Sequence, residues 1–337
     1  MTDRAAEPPA PLTGLALSRG GLDRLADRRT DPHLLDELLA DPGTLVLGIR
    51  GDRMRVHRSG SGPDVLVTRA PEPQDRSRLA FFLGVAPGGS GGAAYVAVVE
   101  QAPGGPDPSG QPGTEPEAQL DKSWRTLRQC GAALADLDAS IFTTTLALTN
   151  WHATHRFCGR CGSPTEPVLG GWVRRCSQDG SEHFPRTDPA VIVSVIDDDD
   201  RLLLGRGINW PENQFSVLAG FVEPGESFEA AVAREVLEES GVQVTDVRLL
   251  GDQPWPFPSS IMVGATARAV TTQLRHDPQE MAEVRWVTRQ EYAALLRAGA
   301  IRVPGGISIA KRIIERWLGD TVETVAGRPL VAGWRPS

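Results

Sequence analysis

The chain is short of the residues that mark several protein classes. Only four cysteines occur in 337 residues, Cys130, Cys158, Cys161 and Cys176. That is too few for a disulfide-stapled secreted scaffold and fits a reducing compartment. Surplus positive charge is also lacking: 35 Lys and Arg face 43 Asp and Glu, for a formal net charge of −8. Bulk attraction to nucleic acid is thereby excluded. An anionic substrate would need local compensation, and a divalent cation is the usual means. No apolar run approaches the ~20 residues of a membrane span. The opening MTDRAAEPPAPLTG has no basic segment leading into an apolar one, which a secretory signal requires. A cytoplasmic protein without membrane association is expected.

What is present divides into zones. From about Leu12 to His152 there are strand-like runs at Thr44–Gly48, Val65–Thr68 and Ala94–Val99, and helix-like stretches at Trp124–Ala135 and Ser140–His152. Residues 101–118 (QAPGGPDPSGQPGTEPEA) have no periodicity and read as a disordered surface insert. Residues 156–185 hold three of the cysteines. Residues 186–319 open with the buried-type strand Ala190–Ile196, an acidic turn at Asp197–Asp200 and a second strand, Arg201–Gly205, in the manner of a hairpin. Strands and helices then mix, which predicts α/β or α+β layering. Residues 320–337 read as a loosely ordered tail.

The third zone carries GFVEPGESFEAAVAREVLEESGV, Gly220–Val242. Pro224 and Gly225 mark a turn, a helix is expected over 227–240, and Gly241 is placed to stop it. At about 100° per residue, Glu235 and Glu239 share a stripe with Val232 and Phe228, and Glu238 lies at its edge. Carboxylates crowded at the end of an apolar face repel one another and lose hydration. A hard divalent cation, Mg2+ or Mn2+, relieves both. Arg234, four residues before Glu238, can pair with it. Read as glutamates alone, a solvated acidic face is the alternative.

The full spacing decides otherwise. Gly220, Glu226, Arg234-Glu235, Glu238-Glu239, Gly241 and the aliphatic Val242 meet every fixed position of the Nudix box. The chain resembles the Nudix hydrolases. That resemblance implies an α/β/α sandwich and water attack on the phosphorus of a nucleoside diphosphate derivative. It implies metal ligation by Glu235, Glu239 and the Ala219 carbonyl, with Glu238 and Glu226 in or beside the metal shell.

Beyond the box lies Gln253-Pro254-Trp255-Pro256-Phe257-Pro258-Ser259-Ser260. Alternating prolines extend the backbone and display Trp255 and Phe257 on one side, where an aromatic can stack on a base. A proline-stiffened strand end with core aromatics is the competing reading. The octapeptide is similar to the signature of the NADH pyrophosphatase subfamily, with Asp252 where the family usually has serine. The resemblance implies that Gln253 to Ser260 line a dinucleotide site, with Phe221, Phe184 and Ala310 as further substrate contacts and Glu280 as a metal ligand outside the box. It also implies a homodimer and a degenerate Nudix-like N-terminal domain.

Cys158-Gly-Arg-Cys161 forms a tight metal knuckle, followed by Cys176. The subfamily carries a four-cysteine zinc ribbon here, but the fourth position is Asp179. His183 is the better zinc ligand by chemistry, Asp179 by position. A ribbon held by packing without metal is the alternative. Cys130 reads as a core thiol, His152 and His155 as surface or packing residues, Asp197–Asp200 as a solvated turn, and Lys311-Arg312 as helix-surface charges. The implied function is hydrolysis of NADH, and of NAD+, to NMNH or NMN and AMP, with NAD-capped RNA as a second substrate class. The rivals are a hydrolase of ADP-ribose or another nucleoside diphosphate derivative, and a non-catalytic nucleotide sensor.

Overall fold

The computed structural model describes residues 9–87, 92–100 and 121–327; the segment 101–118 lies outside them. Two compact units form. One comprises Arg19–Thr187 together with Trp255–Ser259; the other comprises the described residues of Met1–Ser18, Asp188–Pro254 and Ser260–Ser337.

The first unit contains β1 (Leu45–Arg50), β2 (Arg53–His57), β3 (Val65–Leu66), β4 (Ala80–Val85), β5 (Ala94–Val99) and β6 (Trp124–Thr126). Its helices are α1 (Leu34–Leu38), α2 (Leu127–Cys130) and α3 (Asp136–Thr154). Its larger sheet has the order β3-β2-β1-β5-β4, with β6 on β2. The expected helix over 124–135 is replaced by β6 and the single turn α2. Trp124 and Arg125 pair with Arg55 and Met54, and a capping box between Thr126 and Gln129 starts the helix only at Leu127. By contrast α3 starts four residues earlier than the stretch read from Ser140, and of the added residues Ala139 is buried in the core. His152 packs inside: its Nε2 lies 2.8 Å from the Gly171 carbonyl, Nδ1 accepts from Arg174 at 2.8 Å, and its ring stacks on Phe81. Cys130 is a core thiol, pushed up to about 12 by burial.

A small sheet, β7 (Thr165–Val168), β8 (Val173–Cys176) and β9 (Glu182–His183), completes this unit. Two loops in it repeat one geometry. The Cys158 N–H donates to the Ser163 carbonyl and the Gly162 N–H to the Cys158 carbonyl; the Cys176 N–H donates to the Ser181 carbonyl and the Gly180 N–H to the Cys176 carbonyl. Gly162 and Gly180 take φ of 74° and 70°, a left-handed turn that favours glycine.

The second unit contains β10 (Asp188–Ile196), β11 (Leu202–Gly207), β12 (Leu218–Phe221), α4 (Phe228–Ser240), β13 (Val244–Trp255), β14 (Ser260–Ala269), β15 (Met281–Val287), α5 (Arg289–Ala298), α6 (Ile309–Leu318) and α7 (Val322–Ala326). The sheet order is β13-β14-β10-β11-β15, with β12 on β10. Strand β10 is buried on both faces, as a central strand covered by helices must be. Its period of two sends Val191, Val193 and Val195 into a core with Ala231, Val232 and Val236 of α4, and Ile192 into a core with Ile313, Ile314 and Trp317 of α6. The result is the expected α/β/α sandwich. The segment before Ser18 belongs to this unit: Leu15 joins the α6 core and the Leu12 N–H donates to the Leu250 carbonyl. Residues 322–326, expected in a loose tail, form α7, whose Val322 and Ala326 are buried. The acidic turn is less solvated than its composition suggests. Asp197 is buried and accepts from the Asp199 and Arg201 N–H groups and from the Arg201 guanidinium.

Candidate active site

The glutamate helix starts where Ser227 accepts a hydrogen bond from the Ala230 N–H and stops at Gly241, φ 74°. Ala231, Val232 and Val236 anchor one face in the core, so the adjoining carboxylates are fixed in direction. Phe228, on the same stripe, is exposed instead.

Arg234 organises these acids. Its guanidinium grips Glu226 through two bonds, Nε to Oε1 at 2.7 Å and Nη2 to Oε2 at 2.9 Å. Nη1 reaches Glu235 at 3.0 Å and Glu238 at 2.9 Å, and Nη2 also donates to the Phe221 carbonyl. The pairing with Glu238 expected from sequence is one of four. Held in this way, the Glu226 carboxyl falls to about 2, and it also accepts from the Glu223 N–H.

Glu239 is the opposite case. It lies beside Glu235, Glu238 and Glu280, takes a hydrogen bond from the Ala219 backbone, and keeps Oε2 buried without a partner. Burial first, then the Glu235 charge, pushes its carboxyl up to about 8. Burial also raises Glu235. Four acids from α4 and the loop before β15, one with an orphaned buried oxygen, suit a hard divalent cation and no soft one. The close approach of β12 depends on Gly220, since a Cβ there would collide with the Glu235 carboxyl group.

The other substrate-site candidates fall into different surroundings. Phe221 and Phe184 are 59% and 65% exposed, so their ring faces are open to a ligand. Gln253 is buried and fully engaged: Oε1 accepts from the Leu17 N–H and Nε2 donates to the Ile307 carbonyl. Its side chain therefore fastens the loop rather than presenting itself to a ligand. Ala310 is buried in the α6 core, its N–H bound to the Ser308 hydroxyl. Lys311 pairs with Glu323 and Arg312 with Glu315, as helix-surface charges do.

Trp255 and Phe257 are not two parallel platforms. Their rings meet edge to face, with centroids 4.9 Å apart at 70°. Arg128 lies over both, 3.7 Å from the Phe257 centroid and 5.0 Å from that of Trp255. The carbonyls of Pro256 and Pro258 each accept from the Asn150 side-chain amide. Neither Arg128 nor Asn150 was legible, because each lies more than a hundred residues from the aromatics and in no motif of its own. A buried cation–π contact contributes up to about 2 kcal/mol. Arg128→Gln is therefore expected to raise KM about 3- to 30-fold while changing kcat little, which steady-state kinetics would show. An unchanged KM would remove Arg128 from the site.

At the ribbon, ligand atoms of Cys158, Cys161, Cys176 and Asp179 all lie within 4.8 Å of one another. Cys161 and Cys176 Sγ are 3.4 Å apart. The second knuckle places Asp179 where the first places Cys161. His183 stands outside this group, with Nε2 3.4 Å from the Ser181 hydroxyl. Three thiols and a carboxylate at this separation fit zinc. Asp179→Cys is expected to tighten zinc at least about tenfold by giving it a softer fourth donor, measured by competition with a chromogenic chelator. Unchanged affinity would place the fourth ligand elsewhere.

With this geometry in view, similarity to known proteins is specific. A family model described as the NUDIX domain matches residues 186–304, and one described as the NADH pyrophosphatase zinc ribbon domain matches residues 153–184. The NAD-capped RNA hydrolase NudC of Mycobacterium bovis is 40% identical over 314 residues, spanning 89% of this chain and 94% of that one. NudC of Mycobacterium tuberculosis is 39% identical over the same length. The NAD-capped RNA hydrolase NUDT12 of Homo sapiens is 39% identical over 197 residues, 55% of this chain and 43% of that one. The chain belongs to the NADH pyrophosphatase subfamily of the Nudix hydrolases.

Proposed function

We propose that this protein hydrolyses the pyrophosphate bond of NADH and NAD+, giving NMNH or NMN and AMP, and removes NAD caps from RNA 5′ ends. The observation that carries the catalytic part is the Glu239 carboxylate. It is buried among three other acids with one oxygen unmatched, an arrangement with no structural benefit unless a cation completes it. The dinucleotide part rests on the octapeptide and on likeness to proteins named as NAD-capped RNA hydrolases.

Glu235, Glu239, Glu280 and the Ala219 carbonyl are the proposed ligands of Mg2+ or Mn2+, with Glu238 at the open edge. When bound, such ions neutralise charge on the phosphoryl oxygens and acidify the attacking water. Arg234 holds Glu226, Glu235 and Glu238 in fixed directions, so little reorganisation is left for the chemical step. Phe221 offers an exposed ring face for a base. The ribbon has a structural part through zinc. No described helix is long and apolar enough to cross a membrane. A homodimer and a cytoplasmic location belong to this reading.

The test is a product assay with Mg2+ or Mn2+, presenting NADH, NAD+, ADP-ribose and a short NAD-capped RNA in parallel. Cleavage of NADH or capped RNA to AMP-side products, in preference to ADP-ribose, is expected. Preference for ADP-ribose would leave the chemistry and overturn the substrate. Absence of cleavage with either metal would favour a nucleotide sensor.

A further inference from the structure

The two larger sheets repeat one plan. Strand β1 lies parallel to β5 and antiparallel to β2, as β10 lies parallel to β14 and antiparallel to β11. Strand β6 continues from β2 as β15 continues from β11, and β4 flanks β5 as β13 flanks β14. Val46 of β1 bridges Arg69 in antiparallel fashion, as Ile192 of β10 pairs with Ala219. Arg69 thus holds the strand position of Ala219, next to the acids of α4. A short 3-10 helix, Pro73–Ser77, follows it where α4 follows β12.

At this place the first unit has a cavity of about 270 Å³. Its chemistry is inverted. Four arginines line it, Arg50, Arg55, Arg69 and Arg78, with Glu72, Glu100 and Trp124. The acid of the short helix, Asp75, is fully buried and already taken by Arg69, through bonds of 2.6 and 2.8 Å. Arg69 is therefore a fixed wall, its positive charge reinforced by that bond. The other three are less committed among the described residues. Arg50 bonds Glu100 through Nε at 3.1 Å and covers the Trp124 ring. Arg78 reaches Asp75 through Nη1 alone, at 3.4 Å. Arg55 makes a 3.9 Å approach to Asp121, lies over the Trp124 ring at 5.5 Å and keeps 52% of its side chain exposed. Counting Asp75, Glu72 and Glu100 against four guanidiniums leaves a positive excess in a chain of net charge −8.

We propose that this cavity is a binding site for a compact phosphate-class anion, pyrophosphate or the terminal phosphate of a nucleoside phosphate. Guanidinium groups with free Nη atoms match phosphate oxygens in fork geometry. The volume falls below the ~300–1,000 Å³ of sites that enclose drug-sized ligands, so it admits a phosphate end and excludes a whole dinucleotide. Its acids are held by arginines, so it binds without cleaving.

The test titrates pyrophosphate, and separately ADP, into the full-length protein by calorimetry with no added divalent cation, so that the carboxylate site takes up neither. Wild type is expected to saturate in the millimolar range or below. Arg55→Gln combined with Arg78→Gln is expected to weaken binding at least tenfold, with NADH turnover unchanged. Tighter binding of ADP than of pyrophosphate would identify a nucleotide, and the reverse a free anion. Because Arg78 braces Asp75, the single variant Arg55→Glu, which breaks no hydrogen bond, repeats the test if the double variant melts early. Absence of saturable binding to wild type, or equal binding by Arg55→Glu, would overturn the site. Turnover is read separately, so either result leaves the hydrolase assignment untouched.

Discussion

Glu239→Gln is expected to lower kcat about 10³-fold and, in the same protein without divalent cation, to raise stability at alkaline pH. The two effects share one cause. In the folded chain the carboxyl sits at about 8, raised by burial and by the neighbouring acids, whereas unfolded it titrates near about 4.3. Below the unfolded value the group is neutral in both states and costs nothing. As pH rises from there, the unfolded chain loses its proton first, and the folded chain is progressively disfavoured until the cost is complete above pH 8. Glutamine keeps the shape and never ionises. Its advantage should therefore be absent near pH 4, grow through pH 5 to 8 and then level off. On the order of 2 kcal/mol is expected once screening is allowed for. Thermal melts of both proteins across that range, without and with Mg2+, read this directly. Added Mg2+ should erase the difference by stabilising the wild type alone. A flat difference across pH would mean that Glu239 is not a buried carboxylate awaiting a cation.

Gly220→Ala should produce the next largest loss. The added methyl group would meet the Glu235 carboxyl carbon and both its oxygens. Glu235 cannot simply swing away, because Nη1 of Arg234 holds it and Val232 and Val236 pin the helix beneath it. Displacing a ligand by about 1 Å costs about 10²-fold in rate, and at least that is expected in kcat/KM. Apparent affinity for Mg2+ should fall in parallel, whereas a purely local folding defect would lower Tm and leave the activity of the folded fraction intact. Full activity in a folded Gly220→Ala protein would show that β12 and α4 tolerate separation.

The parts of this molecule that could be read in sequence are those written in short, contiguous spans. The glutamate helix announced itself through Ser227, its acids and Gly241, and it forms at Phe228–Ser240. Strand β5 forms at Ala94–Val99, the run read for it. What sequence concealed depends on partners far away along the chain. Trp124 and Arg125 have helix-compatible neighbours, yet pairing with β2 draws them into a strand. Five bonds made by one guanidinium, or an orphaned carboxylate oxygen, follow from packing that no spacing encodes. Spacing also did not show that Asp179 gathers with the three cysteines while His183 lies outside that group.

The Asn150 amide that holds the Pro256 and Pro258 carbonyls has a practical consequence for dissecting the molecule. The aromatic loop is encoded inside the hydrolase segment, yet Trp255–Ser259 belong to the same compact unit as α2 and α3. Excising residues 186–327 as a minimal hydrolase would keep the whole Nudix box and lose both Arg128 and Asn150. Such a fragment would retain the means to cut a pyrophosphate while its aromatic hairpin tip went unsupported. The borders of the family match therefore do not coincide with the borders of the compact units in this chain.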